Sequence, residues 1–446
     1  MKKYLLFIVI VLNNYHCFTQ NNDSYSSDVD FFYRTLKEYH PSLYVRYSEH
    51  EFDSVFKSLK HDCSNKEIND AKFAYLLNKT NKYRDGHTYI GYFHNSELPR
   101  GNFPYIEFSE NNIYIDKNQI LSINGILVNE ILEKLDNLVT WELNEPARHK
   151  EKNLKLKELL YYEYNLMPPY KCKILEDAHE RDSIVNLIPN HVLYPKLNPN
   201  FSTNYNAETL ASRFFDSDSI AILYYNSAEI EDILQFKDFL QNFFNNVEEK
   251  GIKNLFIDVS FNEGGSSIMN DYIFQYLSSE SYSVETDAVF KKEGINKLLE
   301  YYSSISEYYK DTPAFSEFLN FINSLKNSDD KTFMEYKKEN KGFDGQVFVI
   351  MGNETYSSGY NFCENIKWGK RGLLVGEESK QYSPFCGNIV PFELPYSKIE
   401  FYIPTTLFII SSAVSDGFLQ PDIHYPLDHQ LELADFKNII DSQKMN

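Results

Sequence analysis

Basic residues are in short supply: 44 Lys and Arg stand against 64 Asp and Glu, a formal net charge of −20. That balance argues against a nucleic-acid partner, which would need a basic face. Cysteine is scarce, with five in 446 residues. None are spaced as Cys-x-x-Cys, so neither a disulfide framework nor a zinc site is expected. Beyond the N-terminus no run of about 18 apolar residues occurs, and no spanning helix is expected there. Tryptophan is nearly absent (two), although 35 Tyr and 34 Phe are present. Hydrophobic residues make up 42% and charged residues 24%. These values exclude a disordered, collagen-like or coiled-coil chain, and the length allows about three domains.

Lys2 and Lys3 precede an apolar run from Tyr4 to Leu12, and a polar stretch ends near Thr19-Gln20. A short basic region before a short apolar one describes a secretory signal. Residues 1–20 are therefore expected to be a cleaved signal peptide on an exported protein, periplasmic or secreted. Tyr15 and His16 are too large for lipoprotein processing at Cys17. Of the remaining cysteines, Cys363 with Cys386 is the one pairing to test against buried free thiols.

From 21 to 100 the pattern is helical. Phe31, Phe32, Leu36 and Tyr39 share helical spacing, as do Phe52, Phe56 and Leu59, and Pro41 ends the first helix. Residues 101–145 alternate in short strands around an Asn124-Gly125 turn. Residues 146–215 read as a mixed linker region with an edge near 200. From 216 to 430, apolar strands at Ile220–Tyr224, Leu255–Val259, Val347–Met351 and Leu373–Val375 are separated by helices, which predicts an α/β core. Residues 282–341 are expected to be a helical insertion, and 431–446 a tail.

Three segments carry chemistry: Asp85-Gly-His-Thr-Tyr-Ile90, Asn262-Glu-Gly-Gly265 and Gly352-Asn-Glu-Thr-Tyr-Ser-Ser-Gly-Tyr360. A serine opening a helix after a buried strand presents its hydroxyl at the sheet's carboxyl edge, where the helix N-terminus favours developing negative charge. Glycines after the neighbouring strand let backbone amides approach a substrate. Taken singly, Ser357 reads as a helix N-cap, Gly264-Gly265 as a turn and His87 as a structural hydrogen bonder. Ser54–Lys57 and Ser328–Lys331 match a Ser-x-x-Lys pattern without its companion motifs and are set aside. His40 and His424 have no second ligand at metal-site spacing.

Taken together with Phe31–Tyr44, Phe103-Pro104, Ile120–Gly125, Leu255–Gly265, Thr355–Ser358, Val375–Glu378, Phe392–Ser397, Ile403-Pro404 and Gln420–Ile423, these segments resemble the serine peptidase family of the C-terminal processing (tail-specific) proteases and the tricorn core. They are nearer its exported, tricorn-like branch. The resemblance implies a crotonase-like ββα-spiral core, an N-terminal helical domain and a PDZ-like module at 101–145. It implies a hydrolase without metal or cofactor that cleaves peptides or unfolded protein; the oligomeric state stays open. By the same resemblance Ser357 is the nucleophile, His87 the base, and Gly264 or Gly265 with the Ser358 amide the oxyanion hole. Asp416 is the candidate third acid and Asp85 a second one.

The sequence departs from that family at several places. Tyr382 stands where the processing proteases have a catalytic lysine, with Lys380 two residues early, which favours a Ser–His over a Ser–Lys mechanism. Ser260 replaces a common Arg, Gly359-Tyr360 replace a small residue and an acid, and Ser379-Lys380-Gln381 replace a flexible Thr-Gly-Gly. These departures define the rival reading, a catalytically silent relative that binds peptides or an apolar small ligand. A third option, a structural subunit of a surface assembly, has only the Tyr-rich stretch at 282–341 in its favour.

Overall fold

The computed structural model describes residues 24–64, 68–91, 97–104, 106–109, 111–189, 209–229, 232–277, 282–309, 319, 322–323, 331–336, 342–410 and 417–443. The expected signal peptide, the edge near 200 and Asp416 lie outside the described residues. Among the described residues, no helix is long and apolar enough to cross a membrane.

Helices α1 (Tyr25–Tyr39), α2 (Glu49–Ser64) and α3 (Asp70–Asn78) open the chain. Ser24 and Ser27 cap α1 reciprocally, satisfying amides that the first turn leaves free. Val29, Phe32 and Leu36 of α1 pack on Phe52, Phe56 and Leu59 of α2. A short turn after α3 leads through Arg84–Thr88 into strand β1 (Tyr89–Ile90).

An antiparallel sheet follows, built from β2 (Ile106–Ser109), β3 (Asn112–Ile115), β4 (Asn118–Ile123) and β5 (Ile126–Leu127). Helices α4 (Val128–Asp136) and α5 (Glu145–Tyr164) come next, and strands β6 (Tyr170–Glu176) and β7 (His179–Val185) close the sheet in the order β2-β3-β4-β6-β7. This corrects the mixed linker expected from 146. That region begins with α5, and its strands β6 and β7 complete the sheet, with Tyr170, Cys172 and Ile174 alternating inward on β6. Nor is the module separate from the helices before it, since one hydrophobic core joins both.

The larger unit contains β8 (Leu210–Phe215), β9 (Ile220–Tyr225), α6 (Ile233–Glu249), β10 (Asn254–Asp258), α7 (Ile268–Phe274), β11 (Tyr282–Phe290), α8 (Lys292–Tyr309) and β12 (Lys331–Tyr336). It continues with β13 (Gln346–Met351), α9 (Ser358–Trp368), β14 (Leu373–Gly376), β15 (Tyr382–Ser383), β16 (Phe385–Glu393), β17 (Glu400–Ile410), β18 (Gly417–Phe418), β19 (Ile423–His424) and α10 (Leu433–Gln443). The central sheet runs β19-β14-β13-β10-β9-β8. Its strands pair in parallel except β8, which is antiparallel at the edge.

Both faces of that sheet are covered, as the unbroken apolar runs of β9 and β10 require. Leu255 and Ile257 face Leu240 and Phe243 of α6 on one side. Phe256 and Phe348 stack on the other side, under Phe436 and Ile439 of α10. The expected tail is thus largely a helix, whose Leu433, Phe436, Ile439 and Ile440 recur at helical spacing. The expected helical insertion is corrected as well. Among the described residues of that stretch α8 is the one long helix, while β11 and β12 pair with each other and β11 pairs with β17. The period-two pattern of Val284, Thr286, Ala288 and Phe290 suits the edge of the long strand β17.

Two pairings position the site. Asp258 lies opposite Ile350 in the β10–β13 register, so the turns after these strands emerge side by side. Tyr89 lies opposite Tyr402, and the Gly91 amide donates to the Glu400 carbonyl, so β17 anchors the segment just after His87.

Candidate active site

Ser357 sits between the β13 turn and α9 with φ 51° and ψ −118°, and its side chain makes no capping hydrogen bond. Such a conformation costs a non-glycine residue about 1–3 kcal/mol and persists only where surrounding contacts enforce it. Several contacts do so. Thr355 Oγ1 donates to the Val259 carbonyl and accepts from the Gly352 amide, and the Tyr356 amide donates to the Asn262 carbonyl. The Ser357 amide donates to Gln381 Oε1, while the Ser357 carbonyl accepts from the Asn361 amide at 2.8 Å. The hydroxyl is left to face His87, whose Nε2 lies 3.1 Å from Ser357 Oγ. The helix-cap reading of Ser357 therefore gives way to a paired serine and histidine.

Gly264 and Gly265 have φ +116° and +128°, a region side chains rarely adopt, and a Cβ on Gly264 would press on Ser357 itself. The Gly264 amide donates to Asn262 Oδ1. Gly264 thus provides close approach, and the Gly265 and Ser358 amides are left without an acceptor among the described residues. The Ser358 hydroxyl donates to the Gly265 carbonyl at 2.6 Å, locking the two turns together.

Asp85 faces the His87 ring but makes no hydrogen bond to it among the described residues. Its carboxyl accepts from the His87 amide, from Thr88 Oγ1 at 2.6 Å and from His40 Nε2 at 2.7 Å. Burial alone would push this carboxyl up, but His40 beside it holds it well below its ordinary value. Asp85 therefore shapes the loop that carries His87. On the other ring nitrogen, His87 Nδ1 lies 3.3 Å from the Tyr356 hydroxyl, and the two rings stack at 5.0 Å. The Tyr356 hydroxyl in turn donates to Glu142 Oε2 at 3.3 Å. Glu142 was missed by sequence reasoning, because no motif marks it among 64 acidic residues.

His87 is buried, and burial pushes it down to about 4 against the opposing pull of Asp85. The ring is therefore neutral at pH 7 and able to accept a proton. The groups facing it are Asp85, Glu142, Tyr356 and Ser357. Because protonation removes the base, the rate of Ser357 acylation should stay level from pH 8 down to about 5 and fall as pH approaches 4. A fall centred near the ordinary histidine value of about 6.5 in a pH–rate profile would contradict this environment.

The departures from the family pattern each find a place. Lys380 pairs with Glu263 at 2.7 Å and Glu354 at 3.7 Å. Burial would lower its ammonium, but these carboxylates outweigh burial and raise it, so Lys380 is not a base for Ser357. Gly359 lies so close to the Asn262 carbonyl that a Cβ would meet it at 2.3 Å. The Tyr360 hydroxyl is buried and donates to Glu364. Buried Gln381 bridges the Ser357 amide and Glu142 Oε1. Ser260 caps Asp258 through its hydroxyl at 2.6 Å.

Among the described residues, two buried groups have the proximity to hold a metal: His40–Asp85–Cys386 and Asp85–His87–Glu142. In both, the ring nitrogens are already committed. His40 Nδ1 accepts from the Ser42 amide, and its Nε2 faces Asp85. Both nitrogens of His87 face hydroxyls. Of the two readings left open for the cysteines, the structure has buried free thiols: Cys63, Cys172, Cys363 and Cys386 are all unpaired.

Residues 219–385 match the family model described as peptidase family S41. A point mutant of CPAF matches this fold with a TM-score of 0.60 at 12% identity, over 94% of this chain and 96% of that one. Mature CPAF complexed with lactacystin gives 0.58 at 13% identity, over 94% and 97%. At such identities these structures show a shared mixed α/β fold. No curated protein sequence matches the chain. Over residues 219–385 the chain is thus similar to peptidase family S41. That segment holds Gly264, Gly265, Ser357, Ser358 and Gln381; His87 and Glu142 lie upstream of it.

Proposed function

We propose that the protein is an exported serine peptidase acting on peptides or unfolded protein. Its core is of the crotonase-like ββα-spiral kind, and the sheet at 106–185 is its PDZ-like module. The observation that carries the reading is the 3.1 Å approach of Ser357 Oγ to the neutral His87 ring. Ser357 attacks the scissile carbonyl while His87 Nε2 takes the hydroxyl proton. The oxyanion points at the Gly265 and Ser358 amides, beside the positive end of α9. Loss of one such donor typically costs about 3–4 kcal/mol of transition-state stabilisation. His87 then returns its proton to the leaving amine, and water repeats the cycle on the acyl-enzyme.

Export is supported by Lys2, Lys3 and the apolar run to Leu12. The silent-relative reading drew on positions 359–360 and 379–381. In this geometry Gly359 makes room for Asn262, and Gln381 holds the nucleophile's amide, so the departures no longer favour it. The direct test is digestion of a permanently unfolded protein such as reduced, carboxymethylated lactalbumin. Fragments that appear with the mature protein, with or without EDTA, are expected. An intact substrate after prolonged incubation would contradict a peptidase of unfolded chains.

A further inference from the structure

We propose that Glu142, acting through the Tyr356 hydroxyl, is the carboxyl group that orients His87, and that Gln381 couples it to the nucleophile's own backbone. This rests on the Ser357–His87 reading above and names the third part of that machinery.

The contacts close into a ring. Ser357 Oγ meets His87 Nε2, and His87 Nδ1 meets the Tyr356 hydroxyl. Tyr356 donates to Glu142 Oε2, Gln381 Nε2 donates to Glu142 Oε1 at 3.1 Å, and the Ser357 amide donates to Gln381 Oε1. For Nε2 to accept the serine proton, Nδ1 must carry the ring hydrogen and give it to an acceptor. The Tyr356 oxygen is that acceptor, and its own hydrogen then goes to Glu142. Burial, followed by Glu142 and Asp85, raises the phenol well above its ordinary value, so it remains a donor. No proton leaves the imidazole toward Glu142; the chain of donors fixes the tautomer and the ring's direction.

Other features are shaped around this ring. Gly86 has no side chain where a Cβ would collide with the Tyr356 hydroxyl and crowd Glu142 Oε2. The Gly86 amide donates to the same Oε2. Glu142 itself is almost fully buried and comes from the connector between α4 and α5. That connector is stitched to the segment after α9. Leu143 bridges Gln381, the Tyr382 amide donates to the Glu142 carbonyl, and the Asn144 amide donates to the Lys380 carbonyl. Asn144 Nδ2 adds a bond to the Ser379 carbonyl at 3.0 Å. The residues that depart from the family's Thr-Gly-Gly are therefore the ones that hold Glu142 in place. Burial, then Asp85, pushes the Glu142 carboxyl up to about 8, and the Gly86, Gln381 and Tyr356 donors aimed at it oppose that rise.

Tyr356 and Glu142 are positioning residues, and their test separates orientation from folding. The purified mature protein would be inactivated with a fluorophosphonate, and the maximal inactivation rate read apart from the reagent's binding constant. Tyr356→Phe should lower that rate about 10²-fold, with the binding constant and the melting temperature nearly unchanged. Glu142→Gln should lower it at least about tenfold, because its amide sets a donor against a donor at Tyr356 or Gln381. The double variant should be slower than Tyr356→Phe by less than the factor that Glu142→Gln costs alone, since Glu142 reaches the His87 ring through that hydroxyl. Unchanged rates in Tyr356→Phe would overturn the proposal while leaving Ser357 and His87 intact. A wild-type protein that does not react at all would sink the serine-peptidase reading itself. If Glu142→Gln failed to fold, Tyr356→Phe, which removes one oxygen, would still decide the matter.

Discussion

Ser357→Ala is expected to abolish hydrolysis of unfolded protein while moving the melting temperature by no more than a degree or two. The loss follows from the geometry. Ser357 Oγ is the atom 3.1 Å from His87 Nε2, and Gly264 lies against it and the Ser358 amide. The small effect on stability follows from what the hydroxyl does not do. It caps no helix, and the turn's shape is held by Thr355, Asn262 and Gln381 rather than by the serine side chain. Alanine meets the same positive-φ constraint as serine, so the strain of about 1–3 kcal/mol is present in both proteins. Only the chemistry changes. In well-studied serine hydrolases removal of the nucleophile costs a factor on the order of 10⁶ in kcat. Residual turnover well above that level, measured alongside thermal melts, would move the nucleophile elsewhere, with Ser358 the first alternative.

His87→Ala should cost a similar factor, and the Ser357→Ala/His87→Ala double variant should be no worse than either alone. Residues that act as one unit are not additive, and without a base the serine hydroxyl is a poor nucleophile at neutral pH. The stability effect should be larger here than for Ser357→Ala. The buried ring stacks on Tyr356 at 5.0 Å, and its removal leaves a cavity of the kind that costs about 1–3 kcal/mol. Comparing kcat loss with the shift in melting temperature separates the two effects. If Ser357→Ala were inactive but His87→Ala nearly normal, another group would be serving as base.

Much of the site was legible in the sequence, and the reasons are physical. Short-range rules locate elements whose pattern is dictated by burial on both faces, as in Leu255–Asp258 and Val347–Met351. They also locate turns whose glycines are forced, as at Gly264 and Gly265. His87 and Ser357 could be named because their local motifs are compact, although 270 residues separate them. Glu142 had no such motif. It is one acidic residue in a connector, placed by backbone pairing to Gln381 and Tyr382 more than 200 residues away. Tyr356 stood inside the quoted motif Thr355–Ser358, yet only its distance to His87 Nδ1 gives it a role. The strand β11 was hidden for a related reason: its pairing partner β17 lies over 100 residues downstream, while the flanking α8 is strongly helical in pattern. Helix α10 was read as a tail because its apolar stripe is short and follows polar turns.

The central claim is that Ser357 is an activated nucleophile. The measurement that tests it most directly is fluorophosphonate labelling of the mature protein, followed by mass mapping of the modified peptide. The account predicts one adduct per chain, located on Ser357, absent from Ser357→Ala and strongly reduced in His87→Ala. An unmodified protein, or an adduct on any other residue, would contradict it.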